Sequence, residues 1–173
     1  MNKIDNKIKK EKQMISSIER SPVALLGIDY KVKIVYKNIN ITELDVKNKI
    51  IQISLPIKYK KVENKNILDL AIGKMYEQVA KVEIERAMEK YRIILRFAPE
   101  EYEIKTIKKL GKAYDKTIII NPEVVTFSRD VIDYVVLYQY CSLKYKKNTK
   151  QFLDMIKKYN PNYLRCQEIL MKI

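Results

Sequence analysis

Val131-Ile132-Asp133-Tyr134-Val135-Val136-Leu137-Tyr138-Gln139-Tyr140-Cys141-Ser142-Leu143 is the stretch whose reading decides the fold. It lies inside a long helix expected to start after Ser128 and run to about Tyr145. Ser128 is a good N-cap, because its hydroxyl can accept from a free N–H of the first turn. Asp130 in that turn puts a negative charge at the positive end of the helix dipole.

Working outward, a further helix is expected from Thr149 to Tyr159, with Phe152, Met155 and Ile156 on its inner face. Pro161 ends it, and a last short helix covers Tyr163 to Met171. Upstream, Lys116 to Asn121 reads as a short apolar strand closed by Asn-Pro. Tyr102–Lys109 and Arg92–Ala98 read as strands as well. Asn66 to Tyr91 is a long helix, with Ile67, Leu70, Ala71, Met75, Val79, Val82, Ala87 and Met88 recurring at threes and fours. Asn64 or Asn66 is its N-cap candidate. Gly73 inside it costs about 1 kcal/mol and points to close packing against another backbone. Before that helix, Asp29–Tyr36 alternates, with Tyr30, Val32, Ile34 and Tyr36 on one face. Ile50–Leu55 alternates again, and Asn38–Asn48 between them carries turn residues. Two such strands predict a small antiparallel sheet. Residues 1–20, with Ile4, Ile8, Ile15 and Ile18 at near-helical spacing, read as a separate leader arm or helix.

Composition narrows the class. A chain of 173 residues, 47% hydrophobic, can bury the core of one domain. Three glycines and five prolines argue against a low-complexity chain. No apolar run approaches the roughly 18 residues of a membrane span, and the charged first residues lack an apolar signal segment. A cytoplasmic location is expected. Two cysteines, Cys141 and Cys166, make no disulfide framework. The formal charge of +14 fits an anionic partner. Yet only six of the 35 basic residues are arginine, the residue favoured for bidentate phosphate contacts. The abundance of Lys, Ile, Asn and Tyr also fits codon bias.

The C-terminal half resembles the YgjP-like metallopeptidase family, related to the minimal zincins and to SprT-like proteases. In that family a strand ends in Leu-Asn, and a Val-Ile-Asp-Tyr-Val-Val segment leads into His-Glu-Leu-x-His-Leu. Here the matching pieces are Ile120-Asn121, then Val131 to Leu137, then Tyr138-Gln139-Tyr140-Cys141-Ser142-Leu143. Lys147-Asn148-Thr149, Phe152-Leu153 and Pro161-Asn162-Tyr163 follow, with no gap from Val131 to Leu153. Leu26-Gly27-Ile28-Asp29-Tyr30 and Met75-Tyr76-Glu77-Gln78-Val79-Ala80 are looser matches. Leu110-Gly111-Lys112-Ala113-Tyr114 stands where the family has Trp-Gly-Ser-Cys-Ser, a stretch expected to line the cleft. The resemblance covers about residues 22–173.

The resemblance implies an α+β, minimal zincin-like fold. A small antiparallel β region (22–60) precedes a helical body (64–173), with a short sheet beside the former active-site helix. It also implies where the chemistry should sit. In a zincin two histidines at i and i+4 share one helix face and bind Zn²⁺, and the glutamate between them takes a proton from the metal-bound water. The matching positions are Tyr138, Ser142 and, for the third ligand, Asn148, with Gln139 in place of the base. The chain has no histidine. A phenol, a hydroxyl and an amide have little affinity for Zn²⁺ at neutral pH, and Gln139 cannot act as a general base.

Other residues offer little in exchange. Cys141 reads as a core filler, two thiols alone make a poor zinc site, and Asp133 or Asp154 would suit only a harder ion. Ser142 has no histidine to activate it, and no spacing favours Lys144 or Lys146 in that role. The Tyr138 ring is expected to fill the vacated volume, its hydroxyl reaching Ser142 or Asn148. The expectation is therefore a pseudo-metallopeptidase with no cofactor and no catalytic residues, acting as a scaffold for a protein or peptide. A basic nucleic-acid-binding module is the alternative. The candidate binding surface is Lys112, Tyr114, Lys144, Lys146, Lys147 and Lys150. No membrane association is expected.

Overall fold

The computed structural model describes residues 21–60 and 65–172. The proposed leader and the Asn64 cap lie outside the described residues. The chain divides into two compact units, with the boundary between Met75 and Tyr76.

The first unit contains β1 (Val23–Leu25), β2 (Ile28–Lys37), β3 (Glu43–Lys47) and β4 (Ile50–Pro56) in one sheet of order β1-β2-β4-β3. Its β1–β2 and β3–β4 pairings are antiparallel, but β2 and β4 pair in parallel. The sheet is thus mixed rather than antiparallel throughout. The reason is β3, which lies in the stretch read as a turn-bearing connection. Two-residue turns at Leu26-Gly27 and Asn48-Lys49, all with positive φ, close the two hairpins. The β3–β4 hairpin then lays β4 beside β2 in the same direction. Val32, Ile34 and Tyr36 alternate into the interior, as expected, and Ile51, Ile53 and Leu55 join them.

Helix α1 runs from Lys65 to Leu95 and crosses the boundary between the units. It extends one turn beyond the expected end and absorbs the segment read as a strand from Arg92. The Glu89–Arg92 pair at i, i+3 favours helix there, while Ile93 and Ile94 stay exposed. Arg96, at φ 57°, closes the helix in the left-handed region, its N–H donating to the Arg92 carbonyl. The buried stripe of its second half is Ala80, Ile84, Ala87, Met88 and Tyr91. Leu70 and Val82, expected inside, are 61% and 64% exposed because they fall off that 3.6-residue stripe. Nothing lies within 4 Å of a Cβ built on Gly73, so close packing does not explain that glycine.

The second unit continues with β5 (Glu101–Ile104), β6 (Gly111–Tyr114) and β7 (Thr117–Ile120). Their order is β5-β7-β6, with β5 parallel and β6 antiparallel to the central β7. Ile118, Ile119 and Ile120 are buried, whereas β6 has no apolar alternation and was not legible as a strand. Asn121 ends β7. Its side chain accepts from Glu123 N–H at 3.0 Å and donates to the Ile107 carbonyl at 2.7 Å. A 3₁₀ turn (Pro122–Thr126) leads into α2 (Arg129–Lys144), α3 (Lys150–Tyr159) and α4 (Tyr163–Leu170). Ser128 does precede α2, but its carbonyl rather than its hydroxyl engages the first turn. Thr149 Oγ1 caps α3 by accepting from Phe152 N–H. Among the described residues no helix is long and apolar enough to cross a membrane.

Candidate functional site

Helix α2 is buried along most of its length, and its two sides carry different chemistry. Towards α1 it presents Asp133 and, at its start, Arg129. Arg129 meets the buried Glu83 with Nη2 at 2.6 Å from Oε1, and Arg86 Nε reaches the same carboxylate at 3.0 Å. Arg86 Nη2 and Lys90 Nζ each lie 2.6 Å from one oxygen of Asp133. The Arg129 hydrogen bond, aided by Arg86, holds the Glu83 carboxyl below its ordinary range against the opposing effect of burial. Asp133, considered above for a hard ion, is thus committed to Arg86 and Lys90. The five charges fall at helical spacings, 83-86-90 on α1 and 129-133 on α2. That pattern was the available signal, and it went unread.

Away from α1, α2 presents Tyr138, Gln139 and Ser142. The Tyr138 ring stands edge-on to Phe152 of α3, with centroids 5.0 Å apart, and tilted against Tyr134 at 6.0 Å. Lys147 Nζ lies 5.5 Å from the Tyr138 ring centroid. Burial pushes the Tyr138 phenol above its ordinary pKa, so it stays protonated at neutral pH. Ser142 Oγ donates to the Tyr138 backbone carbonyl at 2.8 Å, one turn back. That local bond replaces the expected link to the Tyr138 hydroxyl. Asn148 is exposed in the α2–α3 connection, in the left-handed region at φ 64°.

Gln139, which the resemblance matched to the base, is only 4% exposed. Its Nε2 makes one long bond of 3.4 Å to the Val135 carbonyl, and its Oε1 is buried with no partner. A Cβ built on Gly111 would come within 2.8 Å of Gln139 Nε2. A side chain at position 111 would therefore have to displace the Gln139 side chain. Leu110 and Gly111 line a pocket of about 380 Å³ with Tyr134, Tyr138, Gln139, Gln167, Leu170 and Met171. Of the stretch Leu110 to Tyr114, Leu110 and Gly111 line this pocket.

The outer edge of β6 carries open backbone groups. Leu110 C=O accepts from Asn121 N–H at 3.0 Å, which sets the phase of the β6–β7 ladder. Gly111 and Ala113 then occupy the alternate positions, whose N–H and C=O groups point away from β7. Edge strands of this kind can accept a further strand.

The lysines proposed as a surface come from two parts of the second unit, β6 and the end of α2 with the connection to α3. Lys112 lies over the Tyr114 ring at 4.9 Å, both exposed on β6. Lys144 lies near the Phe97 and Tyr145 rings at 5.4 and 5.6 Å. Lys146 contributes its carbonyl to the Thr149 hydroxyl, and Lys150 opens α3. Lys144 also borders a groove of about 340 Å³ with Tyr145, Asp154, Lys158 and Tyr159. Cys141 is fully buried, and burial pushes its thiol up to about 12. No group of three or more Cys, Asp or Glu residues among the described residues is placed to hold a metal ion.

Comparison with known proteins adds three findings. The family model described as YgjP-like, metallopeptidase domain, matches residues 1–172. No curated protein matches the chain. One similar solved structure is that of the metallopeptidase zymogen of Pyrococcus abyssi abylysin, at TM-score 0.47 and 18% identity, covering 51% of this chain and 92% of that one.

Proposed function

The chain belongs to the YgjP-like metallopeptidase family, and from that premise we propose that it is a member without hydrolytic chemistry, whose cleft holds a polypeptide. One observation carries the reading. The side chain at the first ligand position, Tyr138, is a neutral phenol packed edge-on against Phe152. The remaining three positions point the same way. Ser142 gives its proton to a backbone carbonyl, Gln139 is a buried amide, and Asn148 is exposed in the next connection.

A family zinc ion does not fit this donor set. Zinc takes thiolate, imidazole or carboxylate ligands, and these four side chains offer a phenol, a hydroxyl and two amides. No step is therefore assigned to a metal. What remains is a cleft with an apolar pocket and a free strand edge, the combination that holds an extended peptide by strand addition. A reducing, cytoplasmic setting belongs to the same proposal and is supported by the two free, buried cysteines.

Zinc analysis after metal loading, paired with a peptide-hydrolysis assay, tests it. Sub-stoichiometric zinc and no cleavage are expected, and stoichiometric zinc with cleavage would contradict the proposal. A second reading, a nucleic-acid-binding module, is favoured by Tyr145 among Lys144, Lys146, Lys147 and Lys150. It predicts affinity for oligonucleotides that falls steeply with salt.

A further inference from the structure

The geometry points to a particular peptide chemistry for the cleft: an extended segment in which large apolar residues alternate with acidic ones. This rests on the reading that the cleft holds a polypeptide. Three observations lead to it.

The first is the phase of β6. Its Cβ direction at Gly111 faces Gln139 of α2, so Gly111 and Ala113 look into the cleft while Lys112 and Tyr114 look outward. A strand added to the open edge at Gly111 and Ala113 must alternate in the same way. Every second residue would point to the pocket, and those between would stand beside Lys112 and Tyr114.

The second is the pocket itself. At about 380 Å³, it lies near the lower end of the ordinary ligand range of about 300–1,000 Å³. Leu110, Tyr134, Tyr138, Leu170 and Met171 give it an apolar lining, and it includes no carboxylate or ammonium group. A large apolar side chain suits it, and a charged one would lose its hydration there.

The third is the charge at the rim. Lys112 and Lys147 are exposed and lie over the rings of Tyr114 and Tyr138. None of the ion pairs among the described residues includes either lysine. Lys112 is on the outward face of the edge strand, and Lys147 stands over a ring that lines the pocket. Carboxylates on the outward positions of an added strand would stand beside Lys112, and Lys147 adds positive charge on the pocket side. A chain carrying +14 overall would also attract such a segment from a distance.

The test uses the full chain and fluorescence anisotropy with four labelled probes. These are the peptide Glu-Phe-Glu-Leu-Glu, the same peptide with both apolar residues changed to serine, the same with its glutamates changed to lysine, and oligothymidylate. The acidic apolar peptide is expected to bind about tenfold or more tighter than any of the others. In the double variant Lys112→Glu, Lys147→Glu the order of the glutamate and lysine peptides should reverse. Both sites are exposed, and circular dichroism checks that the variant is folded. Equal binding of the glutamate and lysine peptides, with the serine peptide weaker, overturns the acidic preference and leaves the cleft reading standing. Binding of the serine peptide and oligothymidylate as tight as that of the acidic apolar peptide, or no peptide binding at all, overturns both. In the first of those cases the surface is a general anion binder.

Discussion

Two sides of one helix make the informative comparison. Towards α1, helix α2 joins Arg129 and Asp133 to Glu83, Arg86 and Lys90, and each carboxylate has two basic partners. Towards the cleft, the same helix carries a buried amide oxygen with no partner at Gln139 and a hydroxyl bonded only to its own backbone at Ser142. The first side is a completed polar network, which a fold keeps because breaking it is costly. The second is a side whose polar groups share no partner with one another.

The comparison breaks most visibly if Glu83 is removed. Glu83→Ala leaves Arg129 and Arg86 without their shared carboxylate, and urea unfolding should show a loss of about 3 kcal/mol. Arg129 is 64% exposed, so part of the loss is recovered by water, which is why the upper end of the range is not expected. The sign with pH follows from the lowered carboxyl pKa. Stability from this group is complete above the ordinary value of 4.5 and is lost as pH falls below it towards the folded pKa. Glu83→Gln should flatten that part of the stability–pH curve, and an unchanged slope would mean the network does not matter.

Tyr138→Ala comes next. It removes a ring packed on Phe152 and Tyr134, and because the position is half-buried the loss should be about 2 kcal/mol by the same measurement. A change near zero would mean that the ring does not hold α2 against α3.

The smallest effect has the opposite sign. Gln139→Met keeps the volume and removes a buried, unpartnered oxygen, so it should stabilise the protein by about 1 kcal/mol in thermal or urea unfolding. Destabilisation instead would show that Gln139 has a partner in solution.

The same contrast explains what could be read from the sequence. Helix α2 was legible because an N-cap candidate, an acidic first turn and an ungapped family motif coincide over residues 128–153. The departure of Tyr138, Gln139, Ser142 and Asn148 from the family's motif is a comparison of residue types and rests on the sequence alone. Strands β3 and β6 were not legible, because their five and four residues have little apolar alternation and are held by pairing with β4 and β7. Arg92–Leu95 was misread because Ile93, Ile94 and Leu95 look like a strand in isolation, whereas the Glu89–Arg92 pair continues the helix. The orphaned Gln139 oxygen and the close approach of Gly111 depend on how β6 meets α2, which no local pattern encodes.

The central claim is that the metallopeptidase framework persists while its zinc chemistry has gone. The direct measurement is zinc content after loading, taken in parallel on this chain and on the fourfold variant Tyr138→His, Gln139→Glu, Ser142→His, Asn148→His. The account predicts little zinc on the natural chain and about one ion per chain on the variant, because the helix already spaces positions 138 and 142 one turn apart. Stoichiometric zinc on the natural chain would contradict it.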